Sequence, residues 1–152
     1  MLGASGLRAE DIDIYSAAPV DADRPNVLIV LDSSALLAML FFEPGCERVA
    51  ELVPQSCMST VNLAEVLGRL ARDGRALDVA LDQLEQMGII CVDFDRELAT
   101  GAAALLLPTV PWGLSLGDRA CLALARLRGL PAVTADRAWE KLDLGIPIEI
   151  VR

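Results

Sequence analysis

From Val27 onward, short apolar runs alternate with helical patterns, and this alternation constrains the fold more than any other feature of the chain. Residues 27–31 (VLIVL) form a continuous apolar run of strand length, which suits a sheet covered on both faces. Further strands are expected over 56–59, 89–94, 131–134 and 148–151. Helices are expected over 34–41, 46–53, 62–72, 76–87, 96–107, 116–128 and 138–142. Pro44-Gly45, Pro54, Asp73-Gly74, Pro108 and Gly129 supply the stops. Strands alternating with helices imply one α/β domain with a mainly parallel central sheet. In such sheets the chemistry lies outside the C-terminal ends of the strands.

Residues 1–26 lack any such period and carry several acids with Pro19 and Pro25. They are expected to form a weakly structured N-terminal extension to the 27–152 domain. No apolar run approaches the roughly 18 residues that a transmembrane helix needs. No basic region precedes an apolar stretch at the N-terminus, so no signal peptide is expected. Cys46, Cys57, Cys91 and Cys121 show no CxxC spacing and read as reduced core residues, which implies a cytoplasmic protein without membrane attachment.

The chain contains no histidine. That removes Ser-His-Asp and Cys-His catalysis, His-ligated zinc and the commonest general base at neutral pH. Any hydrolytic chemistry must then use carboxylates, hydroxyls, cations or a metal. The net charge of −9 argues at first sight against a nucleic-acid partner. However, residues 1–26 hold five of the 22 acids (Glu10, Asp11, Asp13, Asp21, Asp23) and only two of the 13 bases (Arg8, Arg24). Acids that face bound cations would reduce the effective charge further.

Four acids fall at expected helix N-termini, three of them right after strands. Asp32 follows the 27–31 run. Glu65 is placed in the first turn after the 56–59 strand. Asp118 begins the 116–128 helix, and Asp136 stands two residues past the 131–134 strand. Each has a structural reading. Asp32 and Asp136 suit N-caps, while Asn62-x-x-Glu65 and Ser115-x-x-Asp118 resemble capping boxes. Jointly they suggest a convergent acidic cluster, whose repulsion a cation would relieve. An all-oxygen set suits Mg²⁺ or Mn²⁺. Such an ion activates water and stabilises an oxyanion on phosphorus.

Other phosphate chemistries lack their motifs. There is no GxxxxGK[ST] and no GxGxxG after a strand, and without histidine no GxSxG nucleophile elbow could complete its triad. Asp32-Ser33-Ser34 has no second Asp two positions on, as an aspartyl-phosphate phosphatase would need. The acid pair of a receiver domain is missing, and Lys141 is poorly placed for one.

The segments LDSSALLAML (31–40), NLAEVLGRL (62–70), LSLGDRACLALA (114–125) and VTADRAW (133–139) resemble, in order and spacing, the PIN-domain ribonucleases, and among them the VapC-like toxins. The resemblance spans roughly residues 27–152. It implies a three-layer α/β/α PIN-like fold with a central mainly parallel sheet. It also implies a Mg²⁺- or Mn²⁺-dependent endoribonuclease that hydrolyses RNA phosphodiesters, is usually a homodimer, and is silenced by a cognate antitoxin. Carried over by position, Asp32, Glu65, Asp118 and Asp136 match the family's metal-holding acids. Thr134 and Ser34 match its hydroxyl residues. The alternative is a catalytically silent RNA- or protein-binding domain of the same fold. A phosphohydrolase acting on DNA or small molecules is a third reading.

Lesser features carry lesser expectations. Asp95 reads as an N-cap or a fifth site acid. Arg119 and Arg137 adjoin proposed ligands and suit either RNA phosphate or antitoxin carboxylates, or else surface ion pairs. Arg69, Arg72 and Arg75 suit a backbone-binding edge or a solvated helix end. Trp112 suits base stacking or loop packing.

Overall fold

In a computed structural model, which describes residues 26–152, five short strands form one sheet with the order β3-β2-β1-β4-β5, every neighbouring pair parallel. They are β1 (Ile29–Leu31), β2 (Ser56–Ser59), β3 (Ile90–Val92), β4 (Ala132–Thr134) and β5 (Ile148–Ile150). Seven α-helices connect them among the described residues: α1 (Ser33–Leu40), α2 (Cys46–Leu52), α3 (Thr60–Arg72), α4 (Leu77–Gln86), α5 (Arg96–Ala104), α6 (Leu106–Thr109) and α7 (Leu116–Arg128). The expectation for residues 1–26 falls, Asn26 apart, outside the described residues. No helix among the described residues is long and apolar enough to cross a membrane.

The layers follow from the two-residue period of the strands. Ile29, Leu31, Met58 and Val133 point to one face, where Leu36 of α1, Val49 of α2, Val66 and Leu70 of α3 and Leu84 of α4 cover them. Val30, Cys57 and Ala132 point to the other, under Leu98 and Ala102 of α5 and residues 121–125 of α7. The central strand β1 is therefore apolar and buried at all three positions. The arrangement is the α/β/α sandwich expected.

The local differences have physical reasons. The expected helix 96–107 breaks at Leu105. Pro108 does not end it but sits in the first turn of α6, where its missing N–H removes no helical bond. Residues 137–141 wind as a 3₁₀ helix, not an α-helix. Gly45 holds φ +94 before α2, and a Cβ there would overlap the Val151 carbonyl, so only glycine fits. Cys57 and Cys121 are core residues as expected. Cys91 is exposed on edge strand β3 and Cys46 is half-buried, so the core reading holds for only two of the four.

The strand order reverses between β1 and β4. From β1 the chain steps outward to β2 and β3, and later returns to the other side of β1 as β4 and β5. The C-terminal ends of β1 and β4 thus flank the switch point, where open α/β sheets bind ligands.

Candidate active site

Asp32 leaves β1 at the switch point and is almost fully buried, at 2% exposure. It caps α1, its carboxylate accepting the Ser34 N–H. Two hydroxyls donate to the same oxygen, Oδ2: Ser34 Oγ at 2.5 Å and Thr134 Oγ1 at 2.9 Å. These hydroxyls are themselves fixed, since Ser34 Oγ accepts the Ala135 N–H and Thr134 Oγ1 accepts the Asp136 N–H. β1 and β4 are thereby stitched together across the switch point by side chains. Burial pushes the Asp32 pKa up to about 6 against the two hydroxyl bonds, and the charges of Asp118 and Glu65 add to the rise.

Glu65 and Asp118 therefore face Asp32. The buried Cys121 thiol, pushed up first by burial, is raised further by the charges of Asp32, Cys57, Asp118 and Glu65. Glu65 is exposed, and its Oε2 accepts from Ser33 Oγ at 2.6 Å. Asp118 is half-buried and forms the expected capping box, taking the Ser115 N–H at 2.6 Å while Ser115 Oγ takes its own N–H. Asp136 makes a different set of bonds. Its carboxylate caps the 137–141 turn through the Ala138 N–H, and it is not among the charges acting on Asp32. Its backbone N–H is joined to Asp32 through the Thr134 hydroxyl.

The capping-box expectation for Asn62-x-x-Glu65 is wrong. Ser59, the last residue of β2, caps α3 by accepting the Val61 N–H, so the helix starts at Thr60. Asn62 then lies inside the helix and fully buried, and Glu65 lies in the second turn. The Asn62 amide donates toward Gly117 O at 3.0 Å, Glu65 Oε2 at 3.3 Å and Asp32 Oδ1 at 3.4 Å, while its own Oδ1 has no partner. Asn62 and Ser33 are the site residues that the sequence reading left unassigned. Their signal was positional: Ser33 adjoins Asp32, and Asn62 precedes Glu65 by one helical turn.

Beside the acids lies a cleft of about 480 Å³ lined by Ser33, Ser34, Leu37, Glu65, Gly68, Arg69 and Arg72. Arg69 stacks over Phe41 and pairs with Asp73 at 3.5 Å, so its guanidinium is held at the rim. Arg119 donates to the Ala102 carbonyl near the end of α5. Arg137 donates to the Arg152 carbonyl. Asp95 is an N-cap, its Oδ1 accepting the Leu98 N–H. Trp112 is 39% exposed with Lys141 over its ring.

The donor set is carboxylate, hydroxyl and amide oxygen, which fits Mg²⁺ or Mn²⁺ by chemistry. A carboxylate raised by burial, and further by two like charges, is also what a cation would relieve. The carboxylates are not drawn together, however. Among the described residues, no three Asp, Glu, Cys or His side chains stand close enough to hold one ion as they are. Each acid is satisfied by local donors instead.

A five-stranded parallel sheet with a buried carboxylate at its switch point makes this an acid-centred α/β domain. The model of the PIN domain matches residues 29–144, and the chain belongs to that family. No curated protein matches it by sequence. Solved structures share its fold. The toxin–antitoxin complex from Klebsiella pneumoniae is 19% identical with a TM-score of 0.64, over 82% of this chain and 98% of that one. DNA-bound VapBC from Salmonella typhimurium is 22% identical with a TM-score of 0.63, over 83% and 99%. VapC20 of Mycobacterium tuberculosis, a Sarcin-Ricin loop cleaving toxin, is 18% identical with a TM-score of 0.60, over 74% and 92%.

Proposed function

We propose that the chain is a Mg²⁺- or Mn²⁺-dependent endoribonuclease and the toxin of a toxin–antitoxin pair. The observation that carries this is Asp32, a buried carboxylate at the switch point, pushed to about 6 and faced by Glu65 and Asp118. Membership of the PIN family and the likeness to VapC toxins support the reading.

In this reading Asp32, Glu65 and Asp118 hold the cation, and Asp136 joins them as the fourth acid. When bound, the cation supplies positive charge that lowers the pKa of water and stabilises charge on a phosphate. The chain's own groups do the rest. Thr134 and Ser34 direct their only protons to Asp32 Oδ2, leaving Oδ1 facing the Asn62 amide. Arg69 and Arg72 give the acidic cleft a cationic wall that suits the sugar–phosphate backbone. The overall negative charge makes phosphate binding depend on this wall and on the cation. The proposed partners are an RNA substrate, a cognate antitoxin and a second copy of the chain, in the cytoplasm.

The locally satisfied carboxylates favour a second reading, a silent binding domain of the same fold. Mn²⁺ titration of the purified protein separates the two. The nuclease reading predicts saturable binding that Asp118→Asn weakens. A silent domain shows no binding, or binding that the substitution leaves unchanged.

A further inference from the structure

We propose that Gly117 and Asn62 are positioning residues that seat the Glu65 carboxylate against the first turn of α7, beside Asp118. The inference rests on the cation-binding reading above and extends it to two residues that carry no carboxylate.

Gly117 is the second residue of α7 and is buried. Its backbone is not in the left-handed region, so nothing in its conformation calls for glycine. What calls for glycine is space. The three atoms nearest to a Cβ built on Gly117 are both carboxylate oxygens and the Cδ of Glu65, and all three would overlap it. Any larger residue here drives the Glu65 carboxylate away.

Asn62 supplies the other side of the seat. Its amide joins Gly117 O to Glu65 Oε2 and Asp32 Oδ1, so one buried side chain ties β1, α3 and α7 to a common centre. Ser33 Oγ closes the remaining side of Oε2. Glu65 is exposed and borne on a long side chain, and the charges of Asp32 and Asp118 would otherwise favour its swinging into solvent. Asn62 Oδ1 has no partner, so every hydrogen bond of this side chain is made by its nitrogen.

The test is Gly117→Ala, alone and combined with Glu65→Ala, with Mn²⁺ affinity read by titration calorimetry and thermal midpoints read without metal. Alanine is a better helix former than glycine, and the group it displaces is the end of a flexible side chain. The midpoint is therefore expected to hold or rise. Mn²⁺ affinity is expected to fall at least about 10-fold, as when a group that orients a metal ligand is lost. In the Glu65→Ala background the same substitution should change affinity by less than about 2-fold, because the displaced group is gone. Asn62→Ala should weaken Mn²⁺ binding by about 10-fold or more in the presence of Glu65. Wild-type affinity in Gly117→Ala, an equal loss in both backgrounds, or failure of Gly117→Ala to fold would overturn the inference alone. Absence of Mn²⁺ binding by the wild type would overturn the cation reading, and this inference with it.

Discussion

Asp32→Asn should make the metal-free protein more stable above pH 6 while removing its function. The native pKa of Asp32 is about 6 against an ordinary 3.8, and the group is buried at 2% exposure. A carboxyl raised in this way contributes stability while protonated, in full below pH 3.8, and loses it as pH rises through 6. A difference of about two pKa units corresponds to about 3 kcal/mol of destabilisation when the group is fully ionised. Asparagine removes that charge. Its oxygen still accepts from Ser34 Oγ and Thr134 Oγ1, but its amide then meets the Asn62 amide donor to donor. Subtracting about 1 kcal/mol for that mismatch leaves a gain of about 2 kcal/mol. For a domain of this size the gain is about 4–8 °C in midpoint. The assay is thermal and urea unfolding of both proteins in EDTA from pH 4 to pH 8. The difference between them should be near zero or slightly unfavourable at pH 4 and should grow mainly between pH 4 and pH 6.5. A variant less stable than wild type at every pH, with a pH-independent difference, would refute the claim that burial and like charge strain this carboxylate.

Three further outcomes follow from the same geometry. Thr134→Val keeps the side-chain shape but strips one donor from Asp32 Oδ2 and one acceptor from the Asp136 N–H, so unfolding should cost about 1–3 kcal/mol less above pH 6, measured by urea titration. Asp95→Ala should lose about 1 kcal/mol through the missing α5 cap and leave Mn²⁺ affinity and RNA cleavage unchanged. Arg72→Ala, on the cationic wall of the cleft, should weaken RNA binding in a salt-dependent way while leaving Mn²⁺ affinity intact, checked by binding at two ionic strengths.

The sequence made the scaffold legible because apolar period and turn chemistry agree there. β1 is buried on both faces and reads as an unbroken apolar run, and Gly129 stops α7 in the left-handed conformation a C-terminal cap favours. Asp32, after a strand, and Asp118, at a helix N-terminus, were legible from position, and both take part in capping, so the structural and functional readings of those positions are not alternatives. The start of α3 was not legible, because Ser59 both ends a buried strand and caps the helix. That two-residue shift turned Asn62 from a cap into the buried amide at the centre of the site. Pro108 misled in the same local way, since a proline that ends one helix is equally at home in the first turn of the next. Distances between segments had no sequence signal. Asp136 has the expected neighbours in the chain, and its Oδ1 also caps the 137–141 turn through the Ala138 N–H, which the sequence reading had given as its structural role.

The most direct measurement of the central claim is RNA cleavage by the purified, antitoxin-free protein in Mg²⁺ or Mn²⁺, on total RNA, beside Asp118→Asn and EDTA controls. Discrete products that vanish in both controls are the predicted result, and their mapped ends would define the target. Products that persist in Asp118→Asn or in EDTA, or a folded protein that neither cleaves RNA nor binds Mn²⁺, would contradict it.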